Sequence, residues 1–466
     1  MRGAIRNGRR SPGGADGERI VSPGRDGWGS ALTDGTGQGR GRVLILVATG
    51  QGLANLPPVF EYGRPGDVIL WLESAQASSK PFAGGPGAVL RARGFDDQRP
   101  LPIPDDPEGV ATVLGSWLNE HRLWPVLVGN GGSKLTGLGL AVALANRPHG
   151  IIYGDARPCR FWVKEDPASP WTSRAYDRAG PGLLEILACT GHTLLKPRNA
   201  VRFWPDVVAW PEDSYGVDAA VTAAAHDWFA RDGAADRTLA PQGPTYRDAE
   251  ALSPEEAVAF REAAAQFARA LDRDVDADVA PVFNVAVKTA RRTIDRARAD
   301  RQPDGGIGTR LEIAAARRVR RWLADRPGLP VTEAWHGVEI GRPAGATSAA
   351  QLDVTLVLAN GILLHLECKS YSYPIRDLQG RLFSLRAAGS NPATMIVCAP
   401  VLTGFQDRAW FRTIETFRTR VLEAGLEFIA FTLPDQASDW TDSRGRAATC
   451  PSFEAALDDL LASYRP

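Results

Sequence analysis

The chain has little lysine, little cysteine and no net charge, and each shortage narrows what it can be. Lysine plus arginine equals aspartate plus glutamate, 54 against 54, so no global field draws the protein to nucleic acid or to an anionic surface. Only six of the basic residues are lysine. Lysine, unlike arginine, can lose its proton when its surroundings depress its pKa, so a lysine placed among reactive groups in this chain is informative. The five cysteines, at 159, 189, 368, 398 and 450, are odd in number and lack CxxC spacing. That argues for reduced thiols in cytoplasm rather than a disulfide framework or a zinc site. No apolar run approaches the roughly 20 residues of a membrane span, and the N-terminal stretch lacks a signal peptide's apolar centre.

A length of 466 residues accommodates two or three cores. Residues 1–41 are rich in glycine and arginine without periodicity and read as a disordered tail. From Val43 short apolar strands alternate with helical stretches, the pattern of a parallel sheet. The expected strands are Val43–Val47, Val68–Leu72, Pro125–Gly129 and Gly150–Tyr153. The expected organisation is α/β throughout: a Rossmann-like domain over 42–165, a mainly helical connector over 166–302, and a second α/β domain over 303–466. In the connector, Ser253-Pro254-Glu255-Glu256 is a helix start with proline at the first position, and helices are expected near 254–271 and 278–300.

The densest chemistry lies between Leu352 and Lys369. Asn360-Gly361 between two apolar runs signals a hairpin turn. A two-residue loop would set Asp353 opposite Cys368 and mix polar with apolar residues on both faces. A three-residue loop, Ala359-Asn360-Gly361, pairs Leu358 with Ile362, Leu356 with Leu364 and Val354 with Leu366. One face is then wholly apolar, and the other carries Thr355 opposite His365 and Asp353 opposite Glu367, with Lys369 two residues beyond. Carboxylates so placed have Cβ atoms about 5 Å apart and repel unless something neutralises them. Mg²⁺ or Mn²⁺ meets that need, with hard oxygen ligands and a capacity to acidify bound water. Lys369 would orient or deprotonate that water, or stabilise developing charge.

This Asp…Glu-x-Lys arrangement resembles the PD-(D/E)xK restriction-endonuclease-like nucleases. The resemblance implies a preceding helix that supplies a further acid, here Glu312 in the stretch 308–317, and a following helix, 375–388, carrying Gln379 and Arg381. A strand at 394–398 would extend the sheet. Asp353 and Glu367 would hold the metal together with the Cys368 carbonyl. Lys288 to Arg326 carries about a dozen basic residues against five acids, which adds modest support for nucleic-acid contact.

In the first half, ligands of a parallel sheet sit beyond the carboxyl ends of its strands. Thr49-Gly50-Gln51, Glu73-Ser74 and Asn130-Gly131-Gly132-Ser133-Lys134 fall there. The last is a loop whose glycines admit a phosphate to backbone amides at a helix start, with Lys134 adding charge. It is no Walker A loop, and Gly137-Leu138-Gly139 lies inside the helix rather than at a strand exit, so no dinucleotide fingerprint is present. The segment from Val126 to Thr136 is similar to the signature of CRISPR-associated Rossmann-fold (CARF) domains. It departs from that signature in having Ser133 before the lysine and Asn130 abutting the glycines.

Taken together, the two halves resemble the CARF nucleases of type III CRISPR systems. This implies a cytoplasmic homodimer, activated by a cyclic oligoadenylate such as cyclic tetra-adenylate, that cleaves single-stranded RNA or DNA or nicks duplex DNA in antiviral defence. Thr49, Gly50, Gln51, Glu73, Ser74, Asn130, Gly131, Gly132, Ser133 and Lys134 would line the activator pocket. Asp353, Glu367, Lys369 and Glu312 would be catalytic. The alternatives are a non-catalytic sensor with a degenerate nuclease module, and a Rossmann-type metabolic enzyme, which leaves the hairpin acids unexplained.

Overall fold

Aliphatic and β-branched runs bounded by polar turns build two sheets, each flanked by helices. The computed structural model describes residues 41–48, 52–79, 84–176, 180–195, 200–203, 208–209, 307–342, 347–369, 375–389, 392–400, 408–431, 438–441 and 447–465. All fall within one unit, Gly41–Pro466. Thr49, Gly50, Gln51 and the helices expected near 254–271 and 278–300 lie outside them.

The first sheet has the order β3-β2-β1-β4-β5-β6-β7. Its strands are β1 (Arg42–Val47), β2 (Val68–Glu73), β3 (Gln98–Pro102), β4 (Trp124–Val128), β5 (Gly150–Asp155), β6 (Arg160–Lys164) and β7 (Thr172–Ala175). β3 through β5 are mutually parallel, and β6 and β7 add antiparallel. The helices are α1 (Leu56–Tyr62), α2 (Ala75–Ser78), α3 (Gly85–Ala92), α4 (Pro107–His121), α5 (Lys134–Leu144) and α6 (Leu183–Cys189). Val43, Ile45, Val47, Leu70 and Leu72 of the central strands pack with Val110, Leu114 and Leu118 of α4 and Leu140 and Leu144 of α5 into one buried core. Because β1 neighbours both β2 and β4, the direction of winding reverses between β1 and β4. In sheets of this kind ligands bind in a crevice at such a reversal, beyond the carboxyl ends of the strands.

The second sheet contains β8 (Thr193–Leu195), β9 (Val201–Phe203), β10 (Val208–Ala209), β11 (Val331–Gly341), β12 (Ser348–Leu358), β13 (Leu363–Cys368), β14 (Thr394–Pro400) and β15 (Glu427–Phe431). β11, β12 and β13 form an antiparallel meander, and β14 and β15 then add parallel. The helices are α7 (Ile307–Ala324), α8 (Ile375–Gly389), α9 (Arg408–Glu423) and α10 (Phe453–Ala462); a separate ribbon pairs β16 (Ser438–Thr441) with β17 (Ala447–Cys450). α7 and α10 are joined by the Arg318–Glu454 ion pair and by Trp322 Nε1, which donates to Asp458 Oδ1 at 3.2 Å.

Of the stretch 166–302, only residues 166–176, 180–195, 200–203 and 208–209 are described. Among its described residues, β8 and β9 pair with β11 and so belong to the second sheet, β7 edges the first, and α6 is the one helix. The meander leaves one side of β11 open, and short segments from upstream fill that edge. No helix among the described residues is long and apolar enough to cross a membrane.

Candidate functional site

The hairpin adopts the three-residue-loop register. Val354 pairs with Leu366, Thr355 with His365 and Leu356 with Leu364. Leu358 N–H donates to the Ile362 carbonyl at 2.9 Å, and Gly361 N–H donates to the Leu358 carbonyl at 2.7 Å. Gly361 has φ +79°, the left-handed conformation that closes such a loop at little steric cost. One step further along this register, Asp353 faces Glu367.

Both faces of the hairpin are covered, so its polar residues are deeply buried: Asp353 is 2% exposed, and Glu367, His365 and Thr355 are 0% exposed. Asp353 Oδ2 accepts from Cys368 N–H at 2.8 Å and from Lys369 Nζ at 3.1 Å. Glu367 Oε1 meets Lys369 Nζ at 2.7 Å and Arg381 Nη1, from α8, at 2.5 Å. Glu367 Oε2 lies 2.7 Å from His365 Nε2. Lys369 Nζ also donates to the Cys368 carbonyl at 3.1 Å.

These contacts set the charge states. Burial works against the Glu367 charge, yet the His365 hydrogen bond, Lys369 and Arg381 outweigh it and hold the carboxyl at about 2. Burial, followed by repulsion from Glu367, raises Asp353 above the ordinary carboxylate range. Glu312, on α7, is pushed up to about 8 by burial and then by Asp353. Its carboxyl therefore belongs electrostatically to this group. Burial alone would lower Lys369, but Asp353 and Glu367 reverse the effect and raise it. With both carboxylates on it, the lysine stays an ammonium. It can orient a water or stabilise negative charge, but it is not poised to accept a proton.

Burial first, and then repulsion among carboxylates that Lys369 and Arg381 do not fully offset, is why Glu312 and Asp353 resist ionisation. A divalent cation fits that deficit and the hard oxygen donors available. Among the described residues no three His, Cys, Asp or Glu side chains form a ready metal cage. A cation here would therefore rest on Asp353, Glu367 and the Cys368 carbonyl, with solvent or substrate oxygens completing its shell.

At the carboxyl edge of the first sheet, the loop Gly129–Ser133 connects β4 to α5. Gly131 packs against the end of β1, where an added Cβ would come within 2.7 Å of the Val47 carbonyl. Gly132, Ser133 and Lys134 are exposed at the N-terminus of α5, where unpaired amides favour an anion. Two expected ligand groups are otherwise engaged. Ser133 Oγ caps α5, accepting from Thr136 N–H at 3.1 Å. Asn130 turns aside, its Nδ2 donating to the Gly154 carbonyl at 2.6 Å and its Oδ1 accepting from Gly154 N–H at 2.8 Å. Across the crevice, Ser74 caps α2, and Glu73 Oε2 accepts from Ser78 Oγ at 3.4 Å. Asn55 was missed from sequence. Its Nδ2 donates to the Val47 carbonyl at 2.9 Å, and its Oδ1, beside Gly131, is buried without a partner. An asparagine before Leu-Pro-Pro reads as a helix cap, and nothing local signals this longer reach.

The fold is shared with protein VC1899 from Vibrio cholerae, with a TM-score of 0.51 over 84% of this chain and 94% of that one at 13% identity. Looser likenesses are to Can2 from Sulfobacillus thermosulfidooxidans in complex with cyclic tetra-adenylate, and to a type III CRISPR defence DNA nuclease activated by cyclic oligoadenylate. The first has a TM-score of 0.49, 14% identity and coverage of 83% and 92%; the second has 0.41, 14% and coverage of 78% and 46%. At these identities the likeness is one of fold. No family model and no curated protein matches the chain.

Proposed function

We propose that this chain is a cytoplasmic CARF-type nuclease of the PD-(D/E)xK kind, switched on by a cyclic oligoadenylate and dependent on Mg²⁺ or Mn²⁺. The observation that carries the reading is the convergence of Asp353, Glu367, Lys369 and Glu312 from three separate elements into one buried, charge-deficient cluster. A bound cation would acidify an attacking water and neutralise the scissile phosphate. Asp353 and Glu367 would hold that cation, and Lys369, as a fixed ammonium, would orient the water and stabilise negative charge developing on the phosphate. The substrate is RNA or DNA.

The activator, cyclic tetra-adenylate in the first instance, would lie at the crevice between β1 and β4, with its phosphates on the Gly131–Gly132 amides and Lys134. Thr49, Gly50, Gln51, Glu73 and Ser74 would face its bases and sugars. The homodimer finds support in α5. Leu135, Leu138 and Val142 are 51%, 58% and 66% exposed, and their spacing puts them on one helical face. Pairing of two such faces about a two-fold axis would bring both Gly131–Lys134 loops onto a single two-fold ligand.

A non-catalytic sensor is the second reading, favoured by the three cationic or donor groups already seated on Glu367. The test is cleavage of labelled RNA, single-stranded DNA and plasmid with Mn²⁺ and cyclic tri-, tetra- or hexa-adenylate, alongside Mn²⁺ titration. Cleavage that disappears in Lys369→Ala supports the nuclease. Activator binding with no cleavage and no Asp353-dependent metal binding supports the sensor.

A further inference from the structure

The turn of the metal hairpin is seated on the first domain, beside the loop assigned to the activator. Asn360 Nδ2 donates to the Ala156 carbonyl at 2.9 Å, just beyond β5. Two residues earlier in the chain, Gly154 is gripped through both its backbone groups by the Asn130 side chain. On the other flank, an added Cβ on Gly361 would approach Pro181 to 2.8 Å and Leu53 to 3.4 Å, and one on Gly180 would overlap the Ala359 carbonyl. Leu53 lies in the short 3₁₀ turn Gly52–Asn55 that follows the β1 loop. The hairpin turn thus touches the segments adjoining both candidate ligand loops. Leu53, Asn130, Gly154, Tyr176, Asn360 and Ile362 line one small cavity there.

We propose that Asn130 and Asn360 are positioning residues that couple the ligand crevice to the metal hairpin through Gly154 and Ala156. The inference rests on the function proposed above. A ligand that displaces the Gly129–Ser133 loop must carry Asn130, and with it Gly154, or break two hydrogen bonds. The Ala156 carbonyl then moves against Asn360. From Asn360 the hairpin runs about 23 Å to Asp353, at roughly 3.3 Å per residue, as a fully paired and buried ribbon that shifts as a unit. This places a link in the hairpin turn.

The discriminating variant is Asn360→Asp. Aspartate keeps the acceptor that Ile362 N–H uses in the turn at 3.1 Å, and Asp-Gly closes the same kind of loop. The donor to Ala156 is lost. Cyclic tetra-adenylate affinity, stimulation of cleavage, and hydrogen exchange over 353–369 with and without that ligand are measured on the full chain. The expected result is an affinity within about twofold of wild type, stimulation reduced about tenfold or more, and loss of the ligand-induced change in exchange over 353–369. Asn130→Ala removes both hydrogen bonds to Gly154, away from the hairpin, and serves if Asn360→Asp does not fold; with ligand shown to bind, it too should abolish the exchange response. Wild-type stimulation and exchange response in the folded variant overturn the inference alone. A wild-type protein that neither binds the ligand nor cleaves overturns the proposed function and the inference together.

Discussion

His365 Nε2 stands 2.7 Å from Glu367 Oε2, and both side chains are wholly buried. The other ring nitrogen, Nδ1, lies 3.1 Å from the Val354 carbonyl, which can only accept. Both ring nitrogens therefore lie within hydrogen-bond distance of oxygens, and the ring ties Glu367, held ionised at about 2, to the Val354 carbonyl on the facing strand. It braces the carboxylate across the strand pair. His365→Ala removes that brace and leaves Glu367 more exposed to the cost of burial. Leaving a buried polar group without its hydrogen-bond partner costs about 1–3 kcal/mol, and more when the group is charged. Urea unfolding of His365→Ala without metal is therefore expected to show a loss of about 3 kcal/mol; a loss below about 1 kcal/mol would remove His365 from the support of the site.

Lys369 offers a sharper test of role. If it acts as a fixed positive charge, Lys369→Arg preserves part of that charge, whereas Lys369→Ala removes it. The alanine variant is expected to lose about 10²–10³ in kcat, and the arginine variant distinctly less, although guanidinium geometry differs from that of a compact ammonium. Single-turnover cleavage at saturating Mn²⁺ and activator provides the comparison. Equal loss in both variants would instead favour lysine as a proton acceptor.

The hairpin was legible in sequence because two independent constraints agreed: the Asn360-Gly361 turn and the apolar face formed by Val354, Leu356, Leu364 and Leu366. Glu312 was reachable only through the order of elements expected around such a hairpin. What sequence could not supply was the partners reached across space. Arg381 bonds Glu367 from the next helix, and Asn130 bonds Gly154 on the neighbouring strand. β3 was missed because Pro100 and Pro102 suppress a strand reading. It is an edge strand, where proline is tolerated. β8 and β9 were missed because three-residue strands carry too little alternation, and only the open side of β11 gives them a place.

The exposed face of α5 predicts an association state. Leu138→Glu with Val142→Glu puts two like charges on a stripe that nothing in the described chain covers. Surface substitutions of this kind change folding stability by only about 0.5 kcal/mol, whereas opposed charges across a two-fold contact are repelled twice over. Light scattering should show a wild-type dimer and a variant monomer with unchanged thermal unfolding, and titration should show weakened cyclic tetra-adenylate binding. A variant that remains dimeric places the contact elsewhere.

Glu312 makes stability depend on pH in a direction opposite to Glu367. Glu367 titrates at about 2 in the folded chain and near 4.5 when unfolded, so its contribution is present above 4.5 and is lost as pH falls toward 2. Glu312 keeps its proton in the folded chain up to about 8, while the unfolded chain releases it near 4.5. Between those values the folded state binds the extra proton, and stability therefore falls as pH rises. Glu312→Gln removes that penalty, which is on the order of a few kcal/mol for a shift of this size. In chelator, the difference in Tm between Glu312→Gln and wild type should be small near pH 5 and grow steadily in favour of the variant toward pH 8. Mn²⁺ should shrink the difference, because a cation at Asp353 and Glu367 neutralises the charge that holds the Glu312 proton in place. A difference that stays flat with pH would separate Glu312 from the cluster, and one that is unmoved by Mn²⁺ would place the cation away from Asp353 and Glu367.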